Sequence, residues 1–239
     1  MSDKMNVAKI CMIGDGHLYE KQIKYTLFPC ISLEHSIKQS DYLQFKKALL
    51  EKEFGSNVSV NFRKTRPMVS TRIGSVKLLK GFRSKYYPGG KKSIISLLSD
   101  IDSSYYSLLL AIWFGDDGCI YADTKRKNRN ARLSLASCDT PEETQAIVEC
   151  FNLHFGIKAK IVKQKSGFNK ENVHTLISFS AKDSRTLYSM FWNHLKDIPS
   201  MQYKFRYFTE DNIEYNSSTS VEHPTGMKIY AELTGDSKK

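Results

Sequence analysis

Two short acidic turns carry the residues best suited to chemistry: Ile13-Gly14-Asp15-Gly16 and Gly115-Asp116-Asp117-Gly118, with aspartates 102 residues apart at positions 15 and 117. Each follows a strongly apolar segment, AKICMI in the first case and LLLAIWFG in the second. Carboxylate oxygens, together with the free carbonyls that a helix leaves at its C-terminus, suit a hard divalent ion such as Mg²⁺. Two such ions bridging a phosphodiester could generate hydroxide and stabilise the leaving oxygen. A lone Gly-Asp-Gly is an ordinary turn. A duplicated pair behind two apolar helices is a candidate metal centre. Helices apolar nearly all round should be buried, and packing side by side about a pseudo-twofold axis would bring Asp15 and Asp117 to one cluster of cations. In that arrangement Gly14 and Gly115 allow backbones to approach closely, while Gly16 and Gly118 supply flexible turn positions.

The same interval recurs along the chain, as an internal duplication requires. Ser32-Leu33 lies 102 residues before Ser134-Leu135, each pair inside an alternating stretch, CISLEHS and RLSLASC, that reads as a strand. Phe54-Gly55 and Phe155-Gly156 differ by 101, each closing an amphipathic run that reads as a helix. Each half is therefore expected to run helix (roughly 4–14 and 104–116), strand, strand (25–35 and 131–137), helix (41–54 and 141–155), two more strands, and a closing helical segment. The later strands are VSVNFRK and VSTRIGS, then AKIVKQK and HTLISFS; the closing segments are VKLLKGFRSKYY and SRTLYSMFWNHLKDI. Asp139 or Thr140 is a natural cap for the helix that opens at Pro141. This pattern predicts an α+β protein of two pseudo-symmetric αββαββα repeats, each with a four-stranded antiparallel sheet, over residues 1–98 and 99–212, followed by a partly mobile tail at 213–239. Alternation puts Ile31 and Leu33, or Leu133 and Leu135, on one sheet face, and Ser32 and Glu34, or Arg132 and Ser134, on the other.

Composition narrows the partners. With 41% hydrophobic and 12% aromatic residues in 239, the chain can bury a sizeable core. Its 36 basic against 25 acidic residues, a formal charge of +11 spread along the chain, suggest a surface that faces a polyanion. Five cysteines without a CxxC pair argue against a disulfide framework or zinc knuckle and for a reducing, intracellular compartment. No run of about 18 apolar residues occurs, so no membrane partner is expected. The six histidines show no metal-ligand spacing; His154 and His194 read as helix residues and none as a ligand. Trp113 and Trp192 fall at apolar helical positions and read as core.

AKICMIGDG and LLLAIWFGDDG resemble the two signature helices of a single-chain LAGLIDADG homing endonuclease of the intron-encoded type, and the order of elements extends that resemblance over about 200 residues. The second copy, with Leu110, Ala111, Asp116, Asp117 and Gly118 in register, is the better match; the first keeps chiefly Gly14, Asp15 and Gly16. The resemblance implies a DNA-binding saddle of two curved sheets lying in the major groove above the paired helices. It implies a monomeric enzyme that hydrolyses one phosphodiester in each strand of a long asymmetric double-stranded DNA site. Asp15 and Asp117 would ligate metal, with Gly14 and Asp116 at the preceding position lending carbonyls rather than side chains. Mg²⁺ would be the cofactor, with Mn²⁺ substituting and Ca²⁺ supporting binding without cleavage. A basic residue near the end of each repeat would enter the active site; Lys92, from the pair Lys91-Lys92, and Lys204 follow Pro88 and Pro199 in comparable contexts. Base reading and duplex contact would fall to Glu34, Asn61, Arg63, Arg72, Arg132, Ser134 and Lys163, and phosphate grip to the basic loop with Lys125, Arg126 and Arg129. The family also includes intron RNA maturases, so a splicing cofactor on the same fold is the alternative.

Overall fold

The computed structural model describes residues 5–55, 58, 60–63, 68–74, 76–122, 131–137, 140–165 and 173–208. The first half runs α1 (Asn6–Ile13), β1 (His17–Ile23), β2 (Thr26–Ser36), α2 (Ser40–Phe54), β3 (Val60–Arg63), β4 (Met68–Gly74), α3 (Val76–Leu79), α4 (Phe82–Tyr86) and α5 (Ile94–Leu98). The second runs α6 (Tyr106–Asp117), β5 (Gly118–Ala122), β6 (Ala131–Ser137), α7 (Pro141–Phe155), β7 (Ala159–Lys165), β8 (Val173–Phe179), α8 (Ala181–Phe191) and α9 (Pro199–Phe205). The architecture is α+β, with two four-stranded antiparallel sheets of the same order, β1-β2-β4-β3 and β5-β6-β8-β7.

The duplication is visible in how the elements end. Both α2 and α7 are 15 residues long and stop at a glycine in the left-handed region, Gly55 at φ 63° and Gly156 at φ 64°. Only glycine adopts that conformation without strain, which is why Phe-Gly marks both helix ends. Thr140 caps α7, its hydroxyl accepting the Glu143 N–H at 3.2 Å with Pro141 in the first turn. Every residue of α1 is buried, as is α6 from Leu108 to Gly115, and the two helices pack against one another, α1 also against β2 and α6 against β6.

The closing segments differ from the uniform helices that periodicity suggests. Residues 76–87 divide into α3 and α4 because Gly81 takes a left-handed φ of 81°, and α8 starts at Ala181, capped by Ser180, and ends at Phe191. The short helices α5 and α9 have too few turns to leave a periodic signature.

Sheet register assigns faces. Leu18, Ile31, Leu33, Val69 and Ile73 lie buried on one side of the first sheet, and Leu133, Leu135, Ile177 and Phe179 on one side of the second. The opposite faces carry His17, Tyr19, Ser32, Glu34, Asn61 and Arg72, and Tyr121, Arg132, Ser134, Ser178 and Lys160.

Candidate metal centre and nucleic-acid interface

Where α1 and α6 end together, a cleft of about 350 Å³ opens, lined among others by Gly14, Asp15, Lys92 and Asp117. The two aspartates that the sequence places 102 residues apart thus share one cleft, as a pseudo-twofold pairing of the helices requires. Their carboxyls repel. Burial, then Asp116, then Asp15 push the Asp117 carboxyl up to about 6, while burial and Asp116 also raise that of Asp15. Carboxylates held ionised against such repulsion are a natural cradle for a divalent cation, which relieves the penalty. The donors are oxygens throughout, so the set fits Mg²⁺ or Mn²⁺.

The four glycines of the acidic turns are required for space, but against different neighbours from those expected. A Cβ on Gly14 would lie 1.9 Å from Oδ2 of Asp116, and one on Gly115 would lie 2.3 Å from the Tyr42 hydroxyl. Side chains, not the backbone of the facing helix, fill these gaps. Gly16 and Gly118 do not serve as flexible turns: neither has positive φ, and a Cβ there would lie 2.1 Å from the Cys11 carbonyl or 2.3 Å from that of Phe114. Each strand leaves its helix by folding tightly over the last turn, with Gly16 donating to the Cys11 carbonyl at 2.9 Å and Gly118 to that of Phe114.

Lys92 and Lys204 both reach this place. Lys92 Nζ donates to the carbonyls of Gly14 at 2.7 Å and Ile13 at 3.2 Å; Lys204 Nζ donates to those of Gly115 at 2.6 Å and Asp116 at 3.4 Å. The carbonyls of Gly14 and Asp116, assigned to metal by the sequence reading, therefore accept from lysines. Burial lowers the Lys204 pKa, against the pull of Asp116 and the other acids. The two lysines stand on different supports, Lys92 just ahead of α5 and Lys204 in the last turn of α9.

A reciprocal clamp holds those supports. Asp41, in the first turn of α2, accepts the Ser200 N–H at 2.8 Å and the Ser200 hydroxyl at 2.6 Å, capping the α9 N-terminus. Glu143, in the first turn of α7, accepts the Ile94 N–H at 2.9 Å at the start of α5. Each half's central helix thereby fixes the short helix that carries or directly follows the lysine of the other half. Asp41→Ala removes both bonds from the α9 cap, and we expect it to destabilise the protein by about 1–3 kcal/mol in a urea titration. A midpoint matching the parent's would show that the clamp contributes nothing.

Below the cleft lies a group that periodicity did not reveal. Lys46 of α2 is fully buried and His35 of β2 is 3% exposed. Lys46 Nζ donates to both carboxylate oxygens of Asp116, at 2.5 and 2.7 Å, and lies 3.0 Å from His35 Nε2. His35 Nδ1 is 3.5 Å from Oδ2 of Asp15, so this histidine lines the site, a place to which the sequence reading assigned no histidine. Burial first, and then Lys46, push the His35 imidazole down to about 3, which leaves it neutral. The Asp116 side chain is itself buried and engaged, where only its carbonyl was expected to matter. The sequence did hold a signal: His35 occupies the core-facing position after Ile31 and Leu33, and Lys46 falls on the stripe of Tyr42, Leu43 and Leu50.

On the polar sheet faces, Arg72 and Asn61 are exposed and Glu34 half-buried in the first sheet; Arg132 is exposed and Ser134 half-buried in the second. Lys163 does not join them. It pairs with Thr175 on the side shared with Ile161 and Ile177, and Lys160 and Gln164 take the polar face of β7. A strand's side chains alternate, so a one-residue misassignment moves a residue to the wrong side. Lys125, Arg126 and Arg129, the Arg63 side chain and the tail from 209 lie outside the described residues.

Twin αββαββα halves that meet at two helix ends, with an aspartate from each in one cleft, define a two-repeat scaffold built around a shared carboxylate centre. The chain belongs to the LAGLIDADG DNA endonuclease family, whose model matches residues 11–187. A Mycosarcoma maydis protein named "Probable intron-encoded DNA endonuclease 3" is 32% identical over 95 residues, 40% of this chain and 60% of that protein. The fold is similar to that of the homing endonuclease I-WcaI bound to its DNA recognition sequence, with a TM-score of 0.58 and 21% identity over 85% of this chain and 86% of the other. It is also similar to a variant of I-DmoI in complex with its target DNA in the presence of manganese, with a TM-score of 0.51 and 17% identity over 81% of this chain and all of the other.

Proposed function

We propose that this protein is a metal-dependent homing endonuclease that hydrolyses one phosphodiester in each strand of a long, asymmetric DNA duplex. The observation that carries this reading is the sharing of one cleft by Asp15 and Asp117, each contributed by the end of a buried helix. A bound divalent ion would supply a nucleophile at neutral pH and stabilise the leaving oxygen. Asp15 and Asp117 would hold it, with Mg²⁺ as the physiological ion, Mn²⁺ able to replace it, and Ca²⁺ supporting binding alone.

Lys92 and Lys204 neutralise the helix-end carbonyls and present positive charge towards a phosphate entering the cleft. The polar sheet faces lie along the duplex, where Arg72, Asn61, Glu34, Arg132, Ser134 and Lys160 meet base edges and phosphates. The overall charge of +11 supplies the sequence-independent part of the affinity, which weakens with salt. One chain carries both halves of the centre, so the working unit is a monomer. A splicing-cofactor role would not require two carboxylates in one cleft, and no observation here favours it.

The test is selection from a pool of randomised duplex DNA in which only cut molecules accept an adaptor. In Mg²⁺ or Mn²⁺ we expect products that share one long asymmetric consensus, and in EDTA or Ca²⁺ none. Cutting that survives EDTA, or its absence with both activating ions, overturns the proposal.

A further inference from the structure

A fully buried ammonium persists only where its charge and its protons are matched, and Lys46 has that environment: two oxygens of Asp116 and the Nε2 of His35. An ammonium has donors only. Nε2 of His35 must therefore offer its lone pair, and a neutral imidazole in that state carries its proton on Nδ1. That nitrogen lies 3.5 Å from the Asp15 carboxylate. On the other side Oδ2 of Asp116 accepts the Asp15 main-chain N–H at 2.9 Å. Two arms run from one buried charge to one aspartate, one through Asp116 to its backbone and one through His35 to its carboxylate.

Among the described residues, the arrangement is found around Asp15 alone. Asp116 corresponds to Gly14 at the repeat interval of 102, and His35 to Ser137. Lys46 corresponds to Ile147, because α2 and α7 align at an interval of 101. None of these three residues could form an equivalent network around Asp117. Asp15, His35 and Asp116 have the composition of a cation site, their ligand atoms lying within 4.8 Å of one another. The cation set against two of them is the Lys46 ammonium.

We propose that Lys46 is a positioning residue that, acting through Asp116 and His35, orients Asp15 but not Asp117, and so supports cleavage of one DNA strand more than the other. This inference rests on the endonuclease reading. The two aspartates are related by the repeat's pseudo-twofold, as are the two scissile phosphates of a duplex, so a loss of orientation at one carboxylate, short of the loss of its charge, falls more heavily on the phosphate on its own side.

The experiment has one readout that needs no cleavage. In the intact apo-protein, ¹⁵N-edited spectra of the His35 ring should show the Nδ1–H tautomer, and Lys46→Met should shift it towards Nε2–H. With a duplex recovered by the selection above and each strand labelled separately, Lys46→Met should slow one strand roughly 10–100-fold more than the other, the range usual for loss of outer partners of metal ligands. Binding in Ca²⁺ should stay close to the parent's, because Lys46 is fully buried and lies on no sheet face. If Lys46→Met fails to fold, the neutral pair Lys46→Met/Asp116→Asn removes the buried charges together and should show the same strand bias. His35→Asn, which keeps an N–H donor near the Nδ1 position, should retain more of the affected rate than His35→Phe. An Nε2–H tautomer in the parent, or equal slowing of both strands, overturns the proposal. Failure of the parent to cut any duplex would instead overturn the endonuclease reading and leave the tautomer test standing.

Discussion

Asp117→Asn is expected to abolish cleavage of both strands, by about 1,000-fold or more, while duplex binding measured in Ca²⁺ changes little. The amide keeps the size of the carboxylate but removes the charge that holds a cation, in a cleft where Asp15 cannot supply both charges. The mutation also relieves desolvation and repulsion, since burial first, and then Asp116 and Asp15, raise the Asp117 carboxyl to about 6. The apo variant should therefore be no less stable than the parent at neutral pH.

The sign of the pH effect follows from the same shift. An acid whose folded pKa stands near 6, above its ordinary value of 3.8, binds more protons folded than unfolded in that window. The apo-protein thus loses stability as pH rises from about 4 to 6, and a bound divalent ion should restore it. Activity should run the opposite way, rising with pH through about 6, with the midpoint moving lower as metal concentration increases. A variant that cuts like the parent, or a flat rate profile between pH 5 and 7, would remove Asp117 from the metal site.

Features that repeat, or that follow from local chemistry, were legible in the sequence. The interval of 102 located both acidic turns, and Phe-Gly located both helix ends because a left-handed residue closes each. Lys92 and Lys204 were reached through family resemblance and proline context, and both donate to carbonyls at the helix ends. What stayed hidden depends on contacts distant in sequence. Lys46 and Asp116 are 70 residues apart, and on a helix a lone lysine ordinarily reads as solvated. Only the conjunction of a lysine on an apolar stripe, a histidine on a core-facing strand position and an aspartate at the end of a buried helix would have pointed to a pairing, since none is tolerated alone. The side of the sheet taken by Lys163 was not legible either, because charge pattern says little about which face of a strand a residue occupies, whereas register decides it.

The two halves hold their aspartates by different physics, and the second depends on Phe114. At an interval of 102 Phe114 corresponds to Met12, a buried residue of α1; in the second half that place belongs to an aromatic cluster. Phe114 is fully buried, with ring centroids 5.4 Å from Phe191, 5.7 Å from Phe179 and 6.4 Å from Phe151. Its carbonyl accepts the Gly118 N–H, so the same residue anchors the turn that carries Asp117. Phe114→Ala should destabilise the protein by about 3–5 kcal/mol, combining lost transfer energy with a cavity that three rigid rings cannot collapse to fill. Phe114→Leu, nearer in volume, should lose about 1.5 kcal/mol or less. Denaturant titrations of both variants test this, and an alanine variant within 1 kcal/mol of the parent would show that the cluster does not bear on the helix. At temperatures where Phe114→Ala remains folded, its cleavage rate should fall further than its DNA affinity, because the displaced turn holds the aspartate proposed to bind metal and not the sheet face proposed to meet the duplex.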